Sequence, residues 1–350
     1  MTENKKKSQY QATNTKRWVA LAIAILLLIL SGISSGITAS LFKSKEENME
    51  DAFASFFQSN KPMTESILQG SDKKNRVLLV PIEGVISSNQ TPNPFLQEGY
   101  NHDLILSALE TAKEDKTIKG IVLEVNSPGG GVYESAQVYD KIMEVKKARN
   151  IPVIAVMESM AASGGYYISC AADKIFASQE TITGSIGVIM SSLNMSGLLD
   201  KLGIQDQTIK SAAHKDIGSS SRPMTDEERN ILQTYINSAY QRFVDVVSKG
   251  RKMPKEQILP LADGRIYDGV QAKAVGLVDE IAYPDQAYAA FEKQLGHKDM
   301  EFFTYSQPFS FSSLGFPFAK SKQTSEEILA DKVKAGFQAP KALYLYGGEF

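Results

Sequence analysis

Two stretches of this 350-residue chain combine small residues with groups that can do chemistry. The first is Asn126-Ser127-Pro128-Gly129-Gly130-Gly131, and the second is Met160-Ala161-Ala162-Ser163-Gly164-Gly165-Tyr166-Tyr167. Successive glycines let backbone N–H groups approach a ligand with no side chain in the way. The first stretch lacks the Gly-Lys-Ser/Thr ending of a phosphate loop, and alone it reads as a strand-to-helix turn. In the second, one serine sits where a strand gives way to a helix, beside free N–H groups and the positive end of the helix dipole. That setting favours the oxyanion formed when Ser163 attacks a carbonyl, and an N-cap role for the same serine is the competing reading. If the two preceding strands end side by side, the amides of Gly130 and Gly164 flank one oxygen. One such donor is worth about 3 to 4 kcal/mol of transition-state stabilisation.

A serine nucleophile needs a base. The chain has three histidines. His102 and His297 lie in polar, helix-flanking contexts and read as surface residues, while His214 stands next to Lys215. A lysine serves only when neutral, and at an ordinary pKa near 10.4 its deprotonation at pH 7 costs about 4.6 kcal/mol. Burial or a nearby cation must remove that cost. Most lysines lie in charged runs such as Lys146-Lys147, but residues 209–217 hold two among small or apolar neighbours, Lys210 and Lys215. Five apart on a continuous strand, they point to opposite faces, so at most one faces Ser163. The spacing does not choose between them.

The elements that must position these groups alternate. Residues 76–86, 120–125 and 151–159 read as buried strands, and 103–115 and 134–149 as helices. This rhythm predicts parallel crossover units and an α/β domain. A long helix over 225–250 opens with a capping box, Thr225 followed by Glu228. Residues 301–350, rich in phenylalanine and proline, read as a C-terminal tail that packs on the domain or a neighbour. A sharper expectation is that Leu343–Tyr346 lies in a peptide-binding groove.

Residues 18–42 carry no charge, and as a helix they reach roughly 37 Å, enough for a bilayer core of about 30 Å. Lysines and Arg17 precede this run and acidic residues follow it, which predicts an uncleaved single-pass anchor with residues 1–17 cytoplasmic and the rest outside. Residues 43–75 read as a polar stalk and 76–300 as the catalytic domain. A net charge of −2 argues against a nucleic-acid partner. The single cysteine, Cys170, excludes an intrachain disulfide and a thiolate zinc site.

Taken together, SPGGGV (127–132), SMAASGGYYIS (159–169), ADKI (172–175), TGSIGVI (183–189) and AHKDIGS (213–219) resemble the signal peptide peptidase A family of bacterial membrane serine proteases, in its single-repeat Gram-positive form. The similarity spans about residues 76–282, with no departure at a motif position. The resemblance implies a ClpP/crotonase-like spiral of ββα units after one transmembrane helix. It implies Ser163 as nucleophile, Lys215 as general base, Gly130 and Gly164 as oxyanion donors, and Ser185 as the residue that positions the lysine. It also implies an assembly of eight copies in a ring, with each lysine near or across a subunit boundary. The implied partners are the membrane and peptides, cleaved signal peptides above all, and no metal or cofactor is required. A groove beside the glycines would prefer extended chains with small or apolar side chains. Two other readings compete: an acyl-CoA enzyme on the same fold, for which Glu158 is the one nearby carboxylate, and a non-catalytic ring-forming membrane scaffold.

Overall fold

The computed structural model describes residues 63–88, 99–306 and 341–347. Its central sheet is built from strands whose apolar residues come in runs rather than alternating. In β2 (Asp72–Glu83), Leu78, Val80 and Ile82 enter one core while Val77 and Leu79 enter the other. In β3 (Ile118–Ser127) and β5 (Val153–Ala162), Ile121, Leu123, Val153 and Ala155 likewise face one way, and Val122, Ile154 and Val156 the other. Burial on both faces is what a central parallel strand requires.

One face is covered by α1 (His102–Glu114) and α2 (Val132–Arg149), and by a later helix over Asp226–Arg251. The opposite face is covered by the helix Pro284–Leu295 through Ala287 and Phe291. β2, β3, β5 and β6 (Lys174–Ala177) run parallel in that order, as the alternation of strand and helix predicts. The short β7 (Ile182–Gly184) pairs in parallel with the end of β5, placing Gly184 opposite Ala162. The capping box at Thr225 and Glu228 is present: the Glu228 amide donates to Thr225 Oγ1 at 3.2 Å, and the Thr225 amide donates to Glu228 Oε2 at 2.9 Å.

Three expectations need correction. The stretch read as a stalk supplies β1 (Thr64–Gln69) and the start of β2. The stretch read as the beginning of the tail supplies a strand, Met300–Ser306, inserted between β1 and β2, with Met300, Phe302 and Phe303 buried. In each case a polar or aromatic-rich composition hid a strand whose stability comes from its neighbours in the sheet. The third concerns the membrane. Among the described residues no helix is long and apolar enough to cross a bilayer, and residues 18–42 lie outside them. The transmembrane helix, the single-pass location with an outward-facing domain, and the membrane as partner are therefore not carried forward. The fold stands as a mixed α/β domain.

Candidate active site

The ends of β3 and β5 bring the two glycine stretches together. Ser127 pairs with Ala161, and the chain then runs into β4 (Gly129–Gly131) on one side and Ser163 on the other. A Cβ on Gly164 would sit 2.6 Å from Ser135 Oγ, 3.1 Å from Gly129 Cα and 3.2 Å from the Gly130 nitrogen. Only glycine permits this approach. Two serines shape the turn. Ser127 Oγ donates to the Gly84 carbonyl at 2.6 Å and accepts from the Gly129 amide at 3.0 Å, and Ser135 Oγ donates to the Gly131 carbonyl at 2.8 Å. Sequence reasoning overlooked Ser135, although its place four residues past a glycine run was visible.

Ser163 adopts φ 52° and ψ −114°, a conformation that costs a non-glycine residue about 1 to 3 kcal/mol. Its amide donates to the Gly184 carbonyl and its carbonyl accepts from the Tyr167 amide, both at 2.8 Å. The backbone is thus held from both sides. The hydroxyl makes no capping bond to the helix α3 (Gly164–Ser169), which excludes the N-cap reading. Ser163 Oγ is buried and has no hydrogen-bond partner among the described residues. A buried, unsatisfied hydroxyl is costly in a purely structural role. The Gly164 amide, first in its helix, has no intrahelical acceptor.

Ser185 follows Gly184 and also has positive φ, at 49°. Its amide donates to the Arg265 carbonyl at 2.8 Å. Two strained serines therefore stand at adjoining strand ends. Beside Ser185 a cavity of about 450 Å³ opens, lined also by Val188, Ile189, Tyr240 and Asp263.

The C-terminal segment lies in this site. Leu343–Leu345 forms a strand antiparallel to β4, with Tyr344 opposite Gly130. On its other side the Leu343 amide donates to the Ile189 carbonyl at 2.9 Å, and the Ile189 amide returns a bond to Leu343 at 3.0 Å. The Tyr346 amide donates to the Pro128 carbonyl at 2.8 Å. An extended chain is thus recognised by main-chain bonds on both edges, as added strands are. The Tyr344 carbonyl is the first group a Cβ on Gly129 would strike, and the Gly164 nitrogen lies 2.6 Å from the same point. The Tyr344 ring, almost fully buried, stacks on Tyr167 at 5.1 Å and 21° and tilts against Phe243 at 4.7 Å. Burial pushes its hydroxyl up to about 12, so it remains a donor, to the Ala239 carbonyl at 2.9 Å.

The lysines are placed differently. Residues 211–218 form bends and turns rather than a continuous strand, so the opposite-faces argument does not apply. Lys210 Nζ is bound to Asp216 Oδ1 at 2.7 Å. Lys215 is exposed and has no ion-pair partner among the described residues. Within one chain, then, the structure brings together Ser163, Gly164, Gly130 and Ser185, and makes no hydrogen bond between Lys215 and the Ser163 hydroxyl. His214 Nε2 lies 3.4 Å from Glu227. His102, expected at the surface, is buried between the Tyr100 hydroxyl at 2.6 Å and Gln137 Oε1 at 2.9 Å. Glu158 is exposed, and desolvation and the charge of Glu83 raise its pKa. Among the described residues no cluster of His, Cys, Asp and Glu could hold a metal ion.

Two family profiles overlap on the stretch that holds Ser163. The profile of peptidase family S49 matches residues 145–298, and that of Clp protease matches residues 97–183. A protein of Enterococcus faecium, described as a candidate signal peptide peptidase SppA, is 42% identical over 347 residues, covering 96% of this chain and 99% of its own. A candidate protease of Methanocaldococcus jannaschii is 39% identical over 238 residues, covering 68% of this chain and 76% of its own. A candidate protease of Synechocystis is 40% identical over 183 residues, covering 52% of this chain and 65% of its own.

Proposed function

The chain belongs to the S49 (SppA) family of serine peptidases, and from that premise we propose that it hydrolyses peptides with Ser163 as nucleophile and Lys215 as general base. The single observation that carries the reading is the buried Ser163 hydroxyl, without a hydrogen-bond partner among the described residues, beside a strand of the chain's own tail seated on the glycines. A peptide bound in the place of that tail presents its carbonyl to the Gly130 and Gly164 amides. The neutral Lys215 amine takes the Ser163 proton as Oγ attacks the carbonyl carbon, and the two amides receive the negative charge on oxygen. The ammonium then donates its proton to the leaving nitrogen, the C–N bond breaks and an ester remains. Lysine next deprotonates water, which attacks the ester, releasing the carboxylate product and restoring the serine hydroxyl. Ser185 orients the lysine in this scheme. The catalytic state must bring the Lys215 amine to Ser163, within one chain or between two copies.

The aromatic pocket refines the expected preference for small or apolar side chains. A Tyr-sized ring fits where Tyr344 sits, so peptides with an aromatic or large apolar residue there are the better substrates. The acyl-CoA alternative finds little to use, because Glu158 is exposed and Glu134, the carboxylate beside Gly131, is engaged by Ser88. The test is hydrolysis of fluorogenic peptides by the full chain. Ser163→Ala and Lys215→Ala should each lower kcat/KM on the order of 10⁶-fold, as loss of a nucleophile or its base does elsewhere, with thermal midpoints near wild type. Undiminished hydrolysis by Ser163→Ala would refute the reading.

A further inference from the structure

The charged side chains around Lys215 are arranged so that the carboxylate next to it in sequence is engaged elsewhere. Asp216 Oδ1 accepts from Lys210 Nζ at 2.7 Å and from Arg222 Nη2 at 2.8 Å, and its Oδ2 accepts from Arg222 Nε at 2.8 Å. Arg222 reaches on to Glu228, with Nη1 to Oε2 at 2.9 Å and Nη2 to Oε1 at 2.5 Å. Glu228 is anchored in turn, since it closes the capping box of the long helix and its side chain is 2% exposed. Two cations and two anions thus balance without Lys215. Two of the remaining carboxylates here also have other partners. Asp206 accepts from Thr208 and Ser221, and Glu227 faces His214. Asp226 shares the first helical turn with Glu227 and Glu228.

This matters because a carboxylate paired to an amine stabilises the ammonium, the form that cannot take a proton from serine. An opposite charge within about 4 to 6 Å shifts a pKa by about 1 to 3 units. A fork of two parallel bonds from a guanidinium is also the geometry best able to hold a carboxylate in one orientation.

We propose that Arg222, assisted by Lys210, is a positioning residue for the proton transfer: it holds the Asp216 carboxylate away and so leaves the Lys215 amine without a counter-ion. The inference rests on the Ser163–Lys215 reading above. It also gives Lys210 a task other than catalysis, which separates the two lysines that sequence spacing could not.

The experiment is the pH dependence of kcat/KM for peptide hydrolysis by the full chain, in wild type, Arg222→Gln, Arg222→Lys, Asp216→Asn, the double variant Arg222→Gln/Asp216→Asn, and Lys215→Ala. In Arg222→Gln the freed carboxylate should pair with Lys215 and move the acid limb to higher pH by about 1 to 2 units, with activity recovering on the alkaline plateau. The double variant should return the limb to its wild-type position, and Arg222→Lys should displace it least. Should Arg222→Gln fail to fold by circular dichroism, Lys210→Gln supplies the same test, with a smaller shift in the same direction. A purely structural role would lower activity at every pH with the limb unmoved and no rescue by Asp216→Asn, and that outcome overturns the inference. Retained activity in Lys215→Ala would instead overturn the dyad itself, so the two failures are distinguishable.

Discussion

Ser163 ends a buried parallel strand, its backbone bonded to Gly184 on one side and Tyr167 on the other, whereas Lys215 lies in exposed turns with its neighbours committed to other charges. Ser163 is placed by the sheet, and the glycines beside it are close-packed against Ser135 and one another. Lys215 is itself exposed, and the turns that carry it are tied by the ion pairs of Asp216 with Lys210 and Arg222. The contrast suggests that the first region tolerates almost no added volume, and that the second tolerates volume but is sensitive to charge. Gly164 and Gly197 make the difference measurable. A Cβ on Gly164 would press into Ser135 and Gly129, while one on Gly197, in the short helix Ser196–Lys201, meets nothing within 4 Å.

The largest effect should come from that pair. Gly164→Ala is expected to cost about 1 to 3 kcal/mol of stability through overpacking, and to lower kcat/KM on the order of 100-fold by displacing the proposed oxyanion donor. Gly197→Ala should leave kcat/KM unchanged. Equal tolerance at both sites, read by denaturant melts and peptide kinetics, would break the comparison.

Next in size is the tail. Ending the chain at residue 340 removes the strand that covers the glycines, so hydrolysis of added peptides should rise by about tenfold, corresponding to a competing contact of about 1.4 kcal/mol. Unchanged kinetics would mean that the strand does not compete with substrate.

The smallest effect belongs to the lysine's side. Arg222 and the Thr225 amide hold the Glu228 carboxyl down at about 2, well below its ordinary value of 4.5. A group whose folded pKa is depressed adds stability above its unfolded pKa and loses it as pH falls through the folded one. Thermal midpoints should therefore decline between about pH 4.5 and pH 2, and Glu228→Gln should flatten part of that decline. An identical acid profile in the variant would show that the ion cluster adds nothing to the fold.

The same contrast explains what the sequence made legible. Ser163, Gly130 and Gly164 could be read because glycine runs after apolar strands report a backbone constraint, and the sheet satisfies it locally. The strand–helix rhythm from residue 76 onward was readable for the same reason. Thr64–Gln69 and Met300–Ser306 were not, since each becomes a strand only through pairing with a segment far away in the chain. His102 misled because a polar neighbourhood in sequence says nothing about the Tyr100 and Gln137 groups that enclose it. Lys210 and Lys215 looked alike on paper because spacing is silent about salt bridges. The family resemblance singles out Lys215, and the folded positions of Asp216 and Arg222 add that Lys210 is the one engaged in an ion pair.

Tyr344 fills a space among Tyr167 and Phe243 that is continuous with the main hydrophobic core. Whatever sits there is both guest and building material. An emptied groove would leave an aromatic-sized hole in the protein's interior, so the melting temperature should track how fully that hole is occupied, rising with the concentration of any peptide that fits. Heat resistance and substrate affinity would then be two readings of one equilibrium.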